Sequence, residues 1–308
     1  MSVGIDGAGI AVVGASDRML TSGDGEIEFE PAQTKITKLT PSIGAMYAGD
    51  SALQSEIFNN VIADISAHSL YYPWSVRAVA ELYSRSFEQA RSERAERAFL
   101  RPLNLDRAAV VYHVPTDKAR YLADQMQNFT MAEGIETIVA GSDLSGTHLY
   151  AVGNFGVACM DGVGFTAIGI GARHALSHLM NMKHTKASGL AETLLRTFTA
   201  KKLAEVAPGV GSEATDMFIV GPTLSSFVFV FPHILERLGK IYDTRLEAFK
   251  AATQTAEESM AAYVSQIGAA QAAQTAQAGT TPPPKTSGPD ADDKGDVSGG
   301  PEESEPKA

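Results

Sequence analysis

Cysteine is nearly absent. Cys159 stands alone in 308 residues, so no intrachain disulfide can form. Such usage fits a reducing compartment, and Cys159, near the end of an apolar stretch, reads as a small core filler. Positive charge is short as well: 25 Lys and Arg face 36 Asp and Glu, for a net charge of −11. A basic face that neutralises phosphates is not expected, so nucleic acid is set aside as a partner. No uncharged apolar run reaches the length of a membrane span. The opening Met1-Ser2-Val3-Gly4 lacks the basic segment that precedes the apolar run of a secretory signal. These absences point to a cytoplasmic protein with no membrane partner.

Large apolar residues also vanish towards the C-terminus, where QAAQTAQAGTTPPPKTSGPDADDKGDVSGGPEESEPKA begins at Gln271. A segment of that composition buries too little surface to offset chain ordering. The expected organisation is one domain over 1–267, followed by a disordered acidic tail over 268–308.

Within the domain, the hydrophobic pattern changes period repeatedly. Residues 10–16 (IAVVGAS) follow the turn-forming Asp6-Gly7-Ala8-Gly9 as a strand. TKITKL (34–39) alternates, and SIGAMYA (42–48) continues as a buried strand. Leu53, Ile57, Val61 and Ile65 then recur every four residues behind Gly49-Asp50-Ser51, which predicts a capped helix. Pro73 opens a second helix. Residues 101–135 look like an insertion, with a strand at 108–114 and a helix near 117–130. Strands are expected at 135–141, 148–153, 164–169 and 216–220, and helices at 172–185, 189–206 and 232–267. The last carries an apolar stripe (Ile234, Leu238, Ile241, Leu246, Phe249) suited to packing within the domain or to an assembly contact. Helices placed around antiparallel strand pairs give an α+β, αββα order.

Three residues carry the chemistry. ASDR ends a strand on Asp17, TKITKL supplies Lys35, and AGD opens a helix on Gly49. Lys35 stands eighteen positions after Asp17 and fourteen before Gly49. In that order and context the sequence resembles the proteasome β-type peptidases of the N-terminal-nucleophile hydrolase superfamily. "IVAGSD" with "HLYAVGNFG" is similar to the family's central hairpin, and "FTAIGIGARHAL" to its strand entering the third helix. The resemblance spans roughly 2–220 and leaves 101–135 outside. It implies a four-layer αββα sandwich and hydrolysis of peptide or amide bonds by a terminal Thr or Ser. On this reading Lys35 tunes the hydroxyl, Asp17 orients Lys35, and the Gly49 N–H binds the oxyanion. Thr21, Tyr47 and Ser51 are the implied substrate-binding residues. A ring or stacked ring of identical subunits is implied, with a peptide substrate and an ATPase as candidate partners. No metal or organic cofactor is implied.

The chemistry is intelligible without the family. A hydroxyl attacks poorly until its pKa is lowered and its proton accepted. A carboxylate-held ammonium serves the first need, a free α-amine the second, and a helix-opening N–H suits an oxyanion. Ser2 nearly fits the nucleophile by count, fifteen positions before Asp17. Hairpin geometry disagrees. With the turn centred between Gly7 and Ala8, Ser2 faces Val13, and the family's position falls about four residues upstream of Met1. Three readings stay open: a nucleophile upstream of Met1, a bulged turn that returns Ser2 to Lys35, or a non-catalytic ring or scaffold subunit. Gly169-Ile170-Gly171 also carries isoleucine where active members often carry serine. His174 and His178, four apart, suggest a helix surface or core rather than a metal site.

Overall fold

The computed structural model describes residues 1–278 except 8, 23–26, 69–72 and 133. The chain divides into two compact units, Met1–Leu246 and Glu247–Ala308. The first unit is α+β, built on antiparallel sheets. β1 (Ser2–Asp6) and β2 (Gly9–Ser16) form the opening hairpin, followed by a short pair, β3 (Leu20–Ser22) and β4 (Ile27–Phe29). Next come β5 (Ile36–Thr40), β6 (Ile43–Gly49), α1 (Ser51–Ala67) and α2 (Val76–Phe99). Two smaller helices, α3 (Arg107–His113) and α4 (Thr116–Ala132), lead to β7 (Ile135–Asp143), β8 (Gly146–Gly153) and β9 (Gly156–Cys159). The remainder is α5 (Ala172–Asn181), α6 (Leu190–Ala204), β10 (Asp216–Val220), β11 (Val228–Phe229) and α7 (Pro232–Ala278).

One sheet has the order β1-β2-β10-β11 and the larger has β5-β6-β7-β8-β9. Strand alternation sorts their side chains into separate cores. Val12 of β2, Ile138 of β7, Leu149 of β8 and Phe218 of β10 share one cluster, where the sheets meet. Their neighbours point the other way. Val139 and Val152 join Leu53, Ile57, Val79 and Phe87 of α1 and α2, while Val13 and Met217 join Phe198 of α6 and Leu238 of α7. Asp50 caps α1 by accepting from the Ala52 and Leu53 N–H groups at 2.8 and 3.0 Å.

Three expectations are corrected. Residues 107–113 are helical, not a strand: Asp106 caps them through the Ala109 N–H at 2.7 Å. Residues 164–169 form no strand; Phe165 makes one isolated bridge to Ser2. Their chain follows the N-terminus instead, with Gly164 accepting from the Val3 N–H at 2.8 Å and Thr166 donating to the Met1 carbonyl at 3.0 Å. The last helix continues to Ala278 instead of ending near 267. The expected tail beyond it, 279–308, lies outside the described residues. Among the described residues no helix is long and apolar enough to cross a membrane.

Candidate functional site

The β1–β2 hairpin holds the register expected from its turn, from Ser2 opposite Val13 to Asp6 opposite Gly9, without a shift. β2 then runs on to Ser16 beside β10, with Ser16 opposite Asp216. Asp17 follows directly and sits at the edge of a cavity of about 1230 Å³. Met1, Lys35, Tyr47, Gly49, Ser51 and Lys201 line the same cavity. Five of the expected site residues, Asp17, Lys35, Tyr47, Gly49 and Ser51, are thereby brought together. Thr21 lies on β3, and its side chain is outside the described residues.

Asp17 and Lys35 are an ion pair. Lys35 Nζ donates to Asp17 Oδ1 at 2.9 Å, with both side chains about 85% withdrawn from solvent. The second oxygen, Oδ2, accepts the Gly211 N–H at 2.9 Å. Next to Asp17, Arg18 forms a bidentate pair with Asp216, Nε to Oδ2 at 2.8 Å and Nη2 to Oδ1 at 2.6 Å. A two-point Arg–carboxylate contact fixes direction as well as distance, so the end of β2 is pinned on both sides of the Asp17–Lys35 pair.

Gly49 has a structural reason to be glycine. Its φ is +112°, and an added Cβ would stand 2.2 Å from the Gly134 carbonyl oxygen. That backbone turns β6 into the Asp50 cap of α1. Burial raises the Asp50 carboxyl, but the Leu53 N–H, Arg94 and the Ala52 N–H more than offset it, and its pKa is lowered. Tyr47, pushed up by burial, packs edge-on against Phe58 at 6.0 Å between ring centroids.

Ser2 does not reach the cavity. It is fully buried, its backbone is paired in β1, and its hydroxyl bonds the Thr197 hydroxyl on α6. The described pairs, from Ser2–Val13 to Asp6–Gly9, keep one register and do not carry Ser2 to Lys35, which corrects that sequence reading. Met1 does line the site, but its amine is buried behind it. That amine donates to the Thr166 carbonyl at 2.8 Å, and complete burial lowers its pKa to about 5. Ile170 is 70% exposed on the cavity wall, between Gly169 and Gly171.

A second lysine went unrecognised in the sequence. Lys201 on α6 is 5% exposed and donates to Glu205 Oε1 at 2.6 Å, the Gly211 carbonyl at 2.9 Å and the Ala214 carbonyl at 3.1 Å. Burial lowers its pKa, against the pull of Glu205. All three ammonium protons are committed, so Lys201 is an anchor and not a free base. Glu30 holds the same loop, accepting from the Glu213 and Ala214 N–H groups at 3.1 and 2.9 Å.

Elsewhere, Ser145, His148 and Asp161 stand in line, with Ser145 Oγ 2.9 Å from His148 Nε2 and His148 Nδ1 2.7 Å from Asp161. The Ser145 hydroxyl also donates to Asp143, whose other oxygen takes the Val76 N–H at the start of α2. The cluster therefore ties a hairpin to a helix. Cys159 is exposed rather than a core filler. His174 is exposed and His178 half-buried on α5. No family model matches the chain, and no curated protein matches it.

Proposed function

We propose that the chain is a proteasome-like N-terminal-nucleophile hydrolase that cleaves peptide or amide bonds within an oligomeric assembly. The observation that carries this reading is the buried Asp17–Lys35 pair, set in one cavity with Gly49 and Met1, the residue before β1. The apolar clusters, with a fourth that joins Leu179 of α5 to Ala200 of α6, support the accompanying architecture, in which α1 and α2, two sheets, and α5 with α6 stack as four layers.

In this reading the nucleophile is a Thr or Ser hydroxyl about four residues upstream of Met1, counted in the register of β1. Its α-amine takes the hydroxyl proton as the oxygen attacks the scissile carbonyl. Lys35 favours the developing alkoxide, Asp17 keeps the ammonium aimed, and the Gly49 N–H receives the oxyanion. The amine product leaves with the transferred proton, and water then hydrolyses the acyl-enzyme. Tyr47 and Ser51 on the wall, with Thr21, contact the substrate.

The competing reading is a non-catalytic ring or scaffold subunit. It is favoured by the commitment of the Ser2 hydroxyl to Thr197 and by isoleucine at position 170.

The test is the terminal peptide of the protein made from its native locus, identified by mass spectrometry, followed by hydrolysis of fluorogenic peptides. A terminal Thr or Ser in register with Lys35, and turnover lost in Lys35→Ala with assembly intact, supports the hydrolase. Correct processing without turnover of any amide supports the scaffold.

A further inference from the structure

Every residue from Glu247 to Thr275 of α7 is exposed. At 1.5 Å per residue this is roughly 43 Å of helix. Helices in proteins draw most of their stability from packing an apolar face, and this stretch carries such a face exposed. Phe249, Met260, Tyr263 and Ile267 are 69%, 61%, 58% and 41% exposed. The positions Phe249, Thr253, Ala256, Met260, Tyr263, Ile267 and Ala270 are spaced alternately by four and three. A straight helix drifts from that repeat, whereas two supercoiled helices keep it facing a partner. The stripe therefore suits another helix of the same repeat more than a flat surface or a small ligand.

We propose that α7 pairs with α7 of a second copy of this chain as an antiparallel coiled coil. Charge selects the occupant and the direction. Beside the stripe, Lys250 and Glu257 occupy equivalent positions one heptad apart, on the flank that meets its counterpart in an antiparallel pair. When Phe249 lies across from Met260 of the second copy, and Thr253 across from Ala256, Lys250 meets Glu257 of the second copy. The two-fold axis repeats that pair. A parallel pair in register instead sets Arg245 against Lys250. The Lys250–Glu247 contact within the helix, at 2.8 Å, leaves both side chains mostly exposed, at 61% and 71%. The inference concerns α7 alone and stands whether or not the cavity is catalytic.

The experiment is sedimentation of the full chain carrying Lys250→Glu or Glu257→Lys, alone and mixed. Each variant alone sets like charges together twice and is expected to weaken self-association about tenfold. Mixed in equal amounts, the two restore opposite charges at both contacts, so mixed pairs should form with at least wild-type strength. Differently tagged copies identify them. Met260→Glu should weaken association with no partner able to rescue it. The proposal is overturned if the single charge variants associate like wild type, if the mixture does not recombine, or if Met260→Glu changes nothing.

Discussion

Lys201 and Asp17 hold opposite ends of one residue. The Lys201 ammonium takes the Gly211 carbonyl, and the Gly211 N–H donates to Asp17, each at 2.9 Å. A Cβ added at Gly211 would lie 2.1 Å from Glu30 Oε1, so the Glu30 side chain would have to give way. The orientation of Asp17, and through it Lys35, thus depends on a lysine that neither touches.

Lys201→Met tests this. Glu205 keeps Lys202 on both oxygens at 2.9 Å, so the substitution strands no buried carboxylate. It does orphan the Gly211 and Ala214 carbonyls, at about 1–3 kcal/mol each. Lys35 should be labelled faster by an amine-reactive reagent, followed by peptide mass spectrometry. Glu30→Gln, which disturbs the same loop without removing the Lys201 contact to Gly211, should change Lys35 labelling far less.

Asp17→Asn leaves the Lys35 ammonium without its counter-charge in a mostly buried site. Stability should fall by about 2–4 kcal/mol, measured by denaturant unfolding. If the cavity hydrolyses amides, turnover should fall at least about a hundredfold with KM little changed.

Gly49→Ala must hold alanine at a positive φ against the Gly134 carbonyl. A loss of more than about 2 kcal/mol is expected, read as a lower unfolding midpoint. An unchanged midpoint would show that the β6–α1 junction relaxes.

The acid limb of stability should report His184. It is buried, its Nε2 donates to the Val3 carbonyl at 2.8 Å, and its Nδ1 has no hydrogen-bond partner among the described residues. Burial lowers its pKa, as it does for His178. Below the unfolded value, about 6.5, the unfolded chain binds more protons than the folded one, so stability is complete above that pH and is lost as pH falls through it. His184→Gln keeps an N–H for Val3 and should flatten the decline in Tm between about pH 7 and 5.

Local patterns carried much of this fold. The turn at Gly7 fixed the Ser2–Val13 register, and Asp50 with a four-residue apolar repeat marked α1. Asp17, Lys35 and Gly49 were visible because each ends or opens an element, and chain order brings them to one cavity. What escaped depends on distance. AAVVYH has strand-like valines, but the Asp106 cap starts a helix there. Residues 164–169 alternate suitably, yet they run beside the N-terminus through scattered bonds instead of a ladder. Nothing in the sequence singles out Lys201, because its acceptors at 211 and 214 belong to a loop without regular pattern. Ser2 counted correctly towards Asp17, but a hydroxyl's neighbours are set by packing, and α6 supplied Thr197.

β2 serves two cores at once, Val12 on one face and Val13 on the other. Sliding it by one residue would move Asp17 by about 3.3 Å and also exchange the two valines between unlike surroundings, while β10 lost step on its far edge. No intermediate setting satisfies both faces. The spacing between the carboxylate and the ammonium beside the cavity is therefore indexed like a ratchet tooth: mutation can remove it or leave it, but has little room to adjust it gradually.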